Sequence, residues 1–165
     1  MRRRGFTLVE LLVVIAIVAV LAAIAIPKVA QNGQRSKEAA LRAHLRIVRS
    51  AVDRFFAETG GFPERLTKLD DVVSGASNTK IYLPSGQWGT YSGSNTPGPF
   101  LDGIVGFKVV TSHRQADGTT YSGTHATPID PVSGNPFLYG FSNGRCYVKS
   151  SAAGADSLGL PYNSY

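Results

Sequence analysis

Arg4-Gly5-Phe6-Thr7-Leu8-Val9-Glu10 runs directly into the apolar segment Leu11 to Ile26, which contains neither a charge nor a strongly polar group. From Phe6 to Ile26 the single charged residue is Glu10. As a helix rising 1.5 Å per residue, this segment reaches roughly 32 Å, close to the hydrocarbon thickness of a bilayer. Ahead of it stand Arg2, Arg3 and Arg4, which the positive-inside tendency holds in the cytoplasm while the chain beyond Ile26 crosses to the other side. The sequence therefore predicts a single-pass anchor with an extracytoplasmic remainder.

Beyond Pro27 the pattern becomes that of an amphipathic helix. Leu41, Leu45, Val48, Val52 and Phe55 recur at steps of four and three, and Arg42, Arg46, Arg49 and Asp53 fall elsewhere on the wheel. Thr59, Gly60 and Gly61 end the stripe after about two heptads, too short for a coiled coil. Joined through Pro27, the two segments predict one helix from Thr7 to Glu58 of about 78 Å, bent where proline removes a backbone donor. Its first half has no partner inside a domain of this size and must find lipid or other copies of itself.

From Gly60 to Tyr165 lie 16 of the 18 glycines, 8 of the 9 prolines and 13 of the 16 aromatic residues. That composition reads as loops and short strands. The clearest hairpin pairs Phe137 to Phe141 with Arg145 to Lys149 across Ser142-Asn143-Gly144, because Asn-Gly supplies the positive φ of tight turns. Ile104 to Thr111 is a third expected strand, and Ser85 to Pro99, rich in Gly, Ser, Thr and Pro, is expected as a long surface loop. The fold class is α+β, divided into 1–5, a leader; 6–27, the membrane segment; 28–59, its amphipathic continuation; and 60–165, a small β domain packed on that continuation.

The formal charge of +6 is local: an excess of four positive charges lies between Lys28 and Glu58, and the chain from Gly60 onward is neutral. Without a reading motif or interleaved stacking aromatics, this stretch is a solvated helix face near anionic headgroups and not a nucleic-acid surface. Cys146 is the single cysteine, so an internal disulfide is excluded despite the oxidising destination; it reads as a small packed side chain. His44, His113 and His125 lack metal-ligand spacing. A nucleophile elbow and a Walker loop are both absent from the sequence, so the chain is expected to be neither an enzyme nor its own source of assembly energy.

The run from Arg4 to Glu10 with its apolar helix resembles the type III signal of prepilins, the precursors of type IV pilins and pseudopilins, over at least residues 1 to 30. An ordinary secretory signal is shorter, lacks an acid such as Glu10 and is removed after its apolar region; a twin-arginine signal likewise has no need of Glu10. The resemblance implies cleavage by a prepilin peptidase after Gly5, methylation of the new amino terminus on Phe6, and retention of the apolar helix. It also implies a pilin ladle, a long helix packed on an antiparallel sheet of three or four strands, assembled into a homo-oligomeric filament. Partners would be an assembly ATPase, an inner-membrane platform protein and minor pilins or pseudopilins. An acid inside a membrane helix is costly without a partner, and the Phe6 ammonium of a neighbouring copy is the partner the resemblance implies for Glu10.

The segment Asp130-Pro131-Val132-Ser133-Gly134-Asn135-Pro136-Phe137-Leu138-Tyr139, followed by Ser150 to Asp156, is similar to the end of the major pseudopilin of type II secretion, where a Ser and Gly-Asp loop binds calcium. Asp156 falls on the matching aspartate, which makes it a weak calcium ligand candidate, since no acid follows it before Tyr165 although calcium wants six to eight oxygens. The alternative for Asp156 is a surface turn. A secretion pseudopilin is favoured within the superfamily; a surface or competence pilus used for adhesion, motility or DNA uptake is the alternative. The rival from a different class is a signal-anchored periplasmic binding or enzymatic domain. Glu10→Leu separates these classes: a filament subunit keeps its membrane insertion but disappears from sheared filaments, whereas an anchored monomer is indifferent to the change.

Overall fold

The computed structural model describes residues 7–69, 79–94, 97–101, 107–114 and 120–165, with backbone alone at 30, 107–114 and 120–126. Its contacts divide the chain into two compact units, Met1–Ser36 and Lys37–Tyr165. Helix α1, Leu8–Thr59, is 52 residues long and agrees with the expected helix to within one residue at each end.

Both ends of α1 are capped by their own sequence. The Thr7 hydroxyl accepts from the Glu10 amide at 3.3 Å, and the Glu10 carboxylate accepts from the Thr7 amide at 2.9 Å and its hydroxyl at 2.8 Å, the reciprocal arrangement of a capping box. At the other end Gly60 takes φ 73° and its amide donates to the Phe56 carbonyl at 2.8 Å, a left-handed stop that glycine adopts without a Cβ clash. Pro27 lies inside α1, where its missing N–H leaves the Ala23 carbonyl without a helix donor.

In the first unit, the large apolar side chains from Leu8 to Val29 are exposed. This part of α1 is unburied and is long and apolar enough to cross a membrane.

In the second unit the predicted stripe is the centre of the core. Leu41, Leu45, Val48, Val52 and Phe55 are each at most 2% exposed, and they meet Leu69, Phe100, Leu101, Tyr139, Val148 and Tyr162. The Phe55 and Phe100 rings lie 5.2 Å apart. Arg49 donates to the Val148 carbonyl through Nε at 3.2 Å and Nη2 at 2.7 Å, and Arg54 donates to the Phe100 carbonyl, so the helix's polar flank is also tied to the loops and strands it covers.

The strands among the described residues form three antiparallel ladders instead of the single sheet expected. Strands β1 (Phe62–Pro63), β2 (Lys80–Tyr82) and β3 (Trp88–Thr90) pair in that order. Strands β4 (Phe107–Arg114) and β5 (Thr120–Pro128) form a second ladder with a register shift between Val110 and Ser112. Strands β6 (Leu138–Ser142) and β7 (Arg145–Lys149) form the third. The expected strand from Ile104 is realised from Phe107 onward, with Ile104 outside the described residues.

The stretch Ser85 to Pro99 is corrected in part, because Trp88–Thr90 is a strand. Composition alone hides this: β3 is three residues long, and it is fixed by aromatic contacts made elsewhere. The Tyr82 ring meets Trp88 at 5.3 Å and Phe141 at 4.2 Å, and Trp88 meets Phe141 at 5.4 Å. These rings, with the Tyr139 hydroxyl donating to the Pro63 carbonyl at 2.6 Å, join the β1–β3 ladder to the β6–β7 ladder without backbone pairing between them.

The β6–β7 hairpin turns on Asn143 at φ 52° and Gly144 at φ 72°, the double positive-φ turn that Asn-Gly favours. Gly144 is required twice over, since a Cβ there would stand 2.1 Å from the Pro84 carbonyl oxygen. Removal of the Phe55 ring tests the core directly: Phe55→Ala is expected to destabilise the full chain by about 3–5 kcal/mol, read from urea unfolding of the detergent-solubilised protein.

Candidate functional site

The sequence-predicted site residues lie at opposite ends of the chain. Gly5 and Phe6, the expected cleavage and methylation pair, lie outside the described residues. Glu10 occupies the first turn of α1, and its carboxylate is engaged by Thr7. The pattern Thr7-x-x-Glu10 ahead of an apolar run is the sequence signature of a capping box, so this second role of Glu10 was open to inspection.

Asp156 is not the surface turn residue considered above: its side chain is fully shielded from solvent. Its Oδ1 accepts from the amides of Leu158 at 2.8 Å and Leu160 at 2.9 Å, closing a tight loop over 156–160. Its Oδ2 accepts from Arg42 Nη2 at 2.9 Å and from the Tyr165 hydroxyl. That hydroxyl also accepts from Arg42 Nη2 at 2.8 Å, and the guanidinium carbon sits 5.2 Å from the centre of the Tyr165 ring.

One helical turn before Arg42, the buried Glu38 receives Ser157 N–H at 3.0 Å and Tyr162 O–H at 3.1 Å on Oε1, and Ser157 O–H at 2.6 Å on Oε2. Glu38 and Arg42 are absent from the sequence-level site. Their signal is faint: an acid and a base four residues apart flanking the apolar stripe, with partners more than a hundred residues downstream.

Asp130 organises the start of the same segment. It is 0% exposed. Oδ1 accepts from the Val132 and Ser133 amides at 2.7 and 3.2 Å, and Oδ2 accepts from Ser150 O–H at 2.5 Å and from the amides of Ser151 and Ala152 at 3.0 and 3.2 Å. A buried carboxylate is tolerable when its acceptor sites are filled, and here amides and a hydroxyl fill them. The similarity noted from Asp130 to Asp156 thus corresponds to one connected region in which Asp130, Glu38 and Asp156 fix residues 150–165.

Electrostatics agree with these contacts. The Tyr165 hydrogen bond, helped by the Leu160 and Leu158 amides and by Arg42, holds the Asp156 carboxyl down at about 2 against an ordinary 3.8. The Ser157 hydroxyl, with that residue's amide and the Tyr162 hydroxyl, lowers Glu38 as well, against an opposing push from nearby Asp156.

Beside this region, a cleft of about 560 Å³ is lined by Arg49, Asp53, Cys146 and Lys149 among others. Cys146 is partly exposed there and not fully packed. Burial first, and Asp53 second, push its thiol up to about 11, far from the thiolate a nucleophile needs at neutral pH. His44 lies in α1 with a buried, unpartnered Nδ1. Among the described residues no group of three His, Cys, Asp or Glu is placed to hold a metal ion.

A capped apolar helix running into a stripe that is buried under small antiparallel ladders defines a pilin-like subunit. Residues 1–26 match the family described as the prokaryotic N-terminal methylation motif. The type IV major pilin protein PilA of Myxococcus xanthus is 46% identical over 57 residues, covering 34% of this chain and 26% of that protein. The type II secretion system core protein G of Pseudomonas aeruginosa is 28% identical over 117 residues, 61% of this chain and 82% of that protein. Its Klebsiella pneumoniae counterpart is 29% identical over 100 residues, 54% and 71% respectively. No solved structure matches the chain significantly. By this motif and these relatives, the chain is similar to type IV pilins and type II secretion pseudopilins, and the named relatives are structural subunits.

The acid limb of stability should report Asp156. A carboxyl whose folded value lies below its unfolded one contributes stability that is complete above the unfolded value and is lost as pH falls through the folded one. Thermal unfolding of the full chain should therefore weaken between about pH 4 and pH 2, and Asp156→Asn should flatten that limb and lower the melting temperature at neutral pH.

Proposed function

We propose that this chain is a pseudopilin of a type II secretion system, processed after Gly5, methylated on Phe6, and assembled from the inner membrane into a periplasmic filament through α1. The observation that carries this reading is the reach of the similarity. The core protein G match spans 117 residues and 82% of that protein, whereas the pilin match spans 57 residues and 26% of that protein.

In this reading the exposed side chains from Leu8 to Val29 exchange lipid for neighbouring helices, and Glu10 sets their register by meeting the Phe6 ammonium of another copy. Pro27, which costs α1 one hydrogen bond, lets the membrane segment tilt against its continuation. A prepilin peptidase, an assembly ATPase, a platform membrane protein and minor pseudopilins are the partners such a subunit requires. The 46% identity to a major pilin supports a second reading, a surface pilus.

Intact-mass and amino-terminal peptide spectrometry on sheared filaments should find a chain beginning at Phe6 with one added methyl. Deleting the gene in its native host then separates the readings. Loss of exported proteins from the medium with surface filaments retained supports the pseudopilus; loss of surface filaments with export intact supports the pilus. A mature chain that begins after Ile26 overturns both.

A further inference from the structure

Calcium at Asp156 is what the resemblance to the secretion pseudopilin implies, and the donor set around that residue does not fit it. Calcium binds six to eight oxygens, commonly several from carboxylates. An ionised carboxylate offers about four acceptor positions, and those of Asp156 are taken by the Leu158 amide, the Leu160 amide, Arg42 and Tyr165. The other acid of the region, Glu38, spends three of its own on Ser157 and Tyr162. A metal at Asp156 would have to displace a guanidinium and a phenol and would then find too few free oxygens.

The positive charge that two neighbouring acids call for is already present. Arg42 places its guanidinium 2.9 Å from Asp156 Oδ2. Tyr165 holds that guanidinium in place by accepting from Nη2 and by presenting its ring face, a stacking that suits the planar fork. Arginine stays protonated throughout the accessible pH range, so this cation is lost neither by dilution nor by chelation.

We propose that Arg42 is the built-in cation of the carboxyl-terminal segment, standing where calcium is implied and making the attachment of residues 156–165 to α1 independent of divalent metal. The clasp joins the helix that carries the core stripe to the last residue of the chain. It belongs to the folded subunit and holds whether that subunit builds a secretion pseudopilus or a pilus.

The test uses the full chain in detergent micelles, melted in EGTA and in millimolar calcium. The wild-type melting temperature should be the same in both media. Arg42→Gln should melt several degrees lower in both, and Arg42→Lys should recover part of the loss, since an ammonium keeps the charge without the fork. The proposal is overturned if calcium raises the wild-type melting temperature and Asp156→Asn removes the rise, or if Arg42→Gln melts with the wild type. A rise that Asp156→Asn retains puts the ion elsewhere and supports the clasp. Should Arg42→Gln fail to fold, calorimetric titration of the wild type with calcium chloride decides. Saturable heat that Asp156→Asn abolishes overturns the proposal; no such heat supports it.

Discussion

Burial of one helix stripe is the constraint on which the second unit depends. Leu41, Leu45, Val48, Val52 and Phe55 are almost fully removed from water, and every ladder with described side chains lies against them or against residues that touch them. Hydrophobic burial of this kind has no direction of its own. Direction comes from the polar flank, where Arg49 and Arg54 reach carbonyls of β7 and of the Phe100 segment and Glu38 and Arg42 reach the chain terminus. The stripe makes the unit cohere and its two charged borders fix what lies on either side.

Three carboxylates then do for the carboxyl-terminal segment what regular secondary structure does elsewhere. Residues 150–161 form no strand or helix beyond an isolated bridge between Ala155 and Pro161, so their amides need acceptors from side chains. Asp130 supplies them for Ser151 and Ala152, Glu38 for Ser157, and Asp156 for Leu158 and Leu160. Arg42 alone among these partners carries a positive charge, and it serves Asp156.

What sequence could convey follows from how local each signal is. The helix and its stripe were legible because a 3.6-residue period repeats within a short window, and the β6–β7 hairpin because Asn143-Gly144 encodes its own turn. The division into three ladders was not, since it depends on Tyr82, Trp88 and Phe141 meeting across some sixty residues of chain. The carboxyl-terminal clasp was half legible: Asp130 and Asp156 stand out in a loop poor in other acids, while Glu38 and Arg42 look like ordinary solvent-facing members of an amphipathic helix. Glu10 shows the opposite error, in which its conspicuous setting among apolar residues draws attention from the threonine three positions earlier.

That threonine changes what a neighbour could gain. The Glu10 carboxylate takes both Thr7 donors on Oε2, two of the roughly four acceptor positions a carboxylate offers, so an outside group can join it without displacing the cap. One side chain thereby holds the first turn of its own helix and still keeps an oxygen for a second donor.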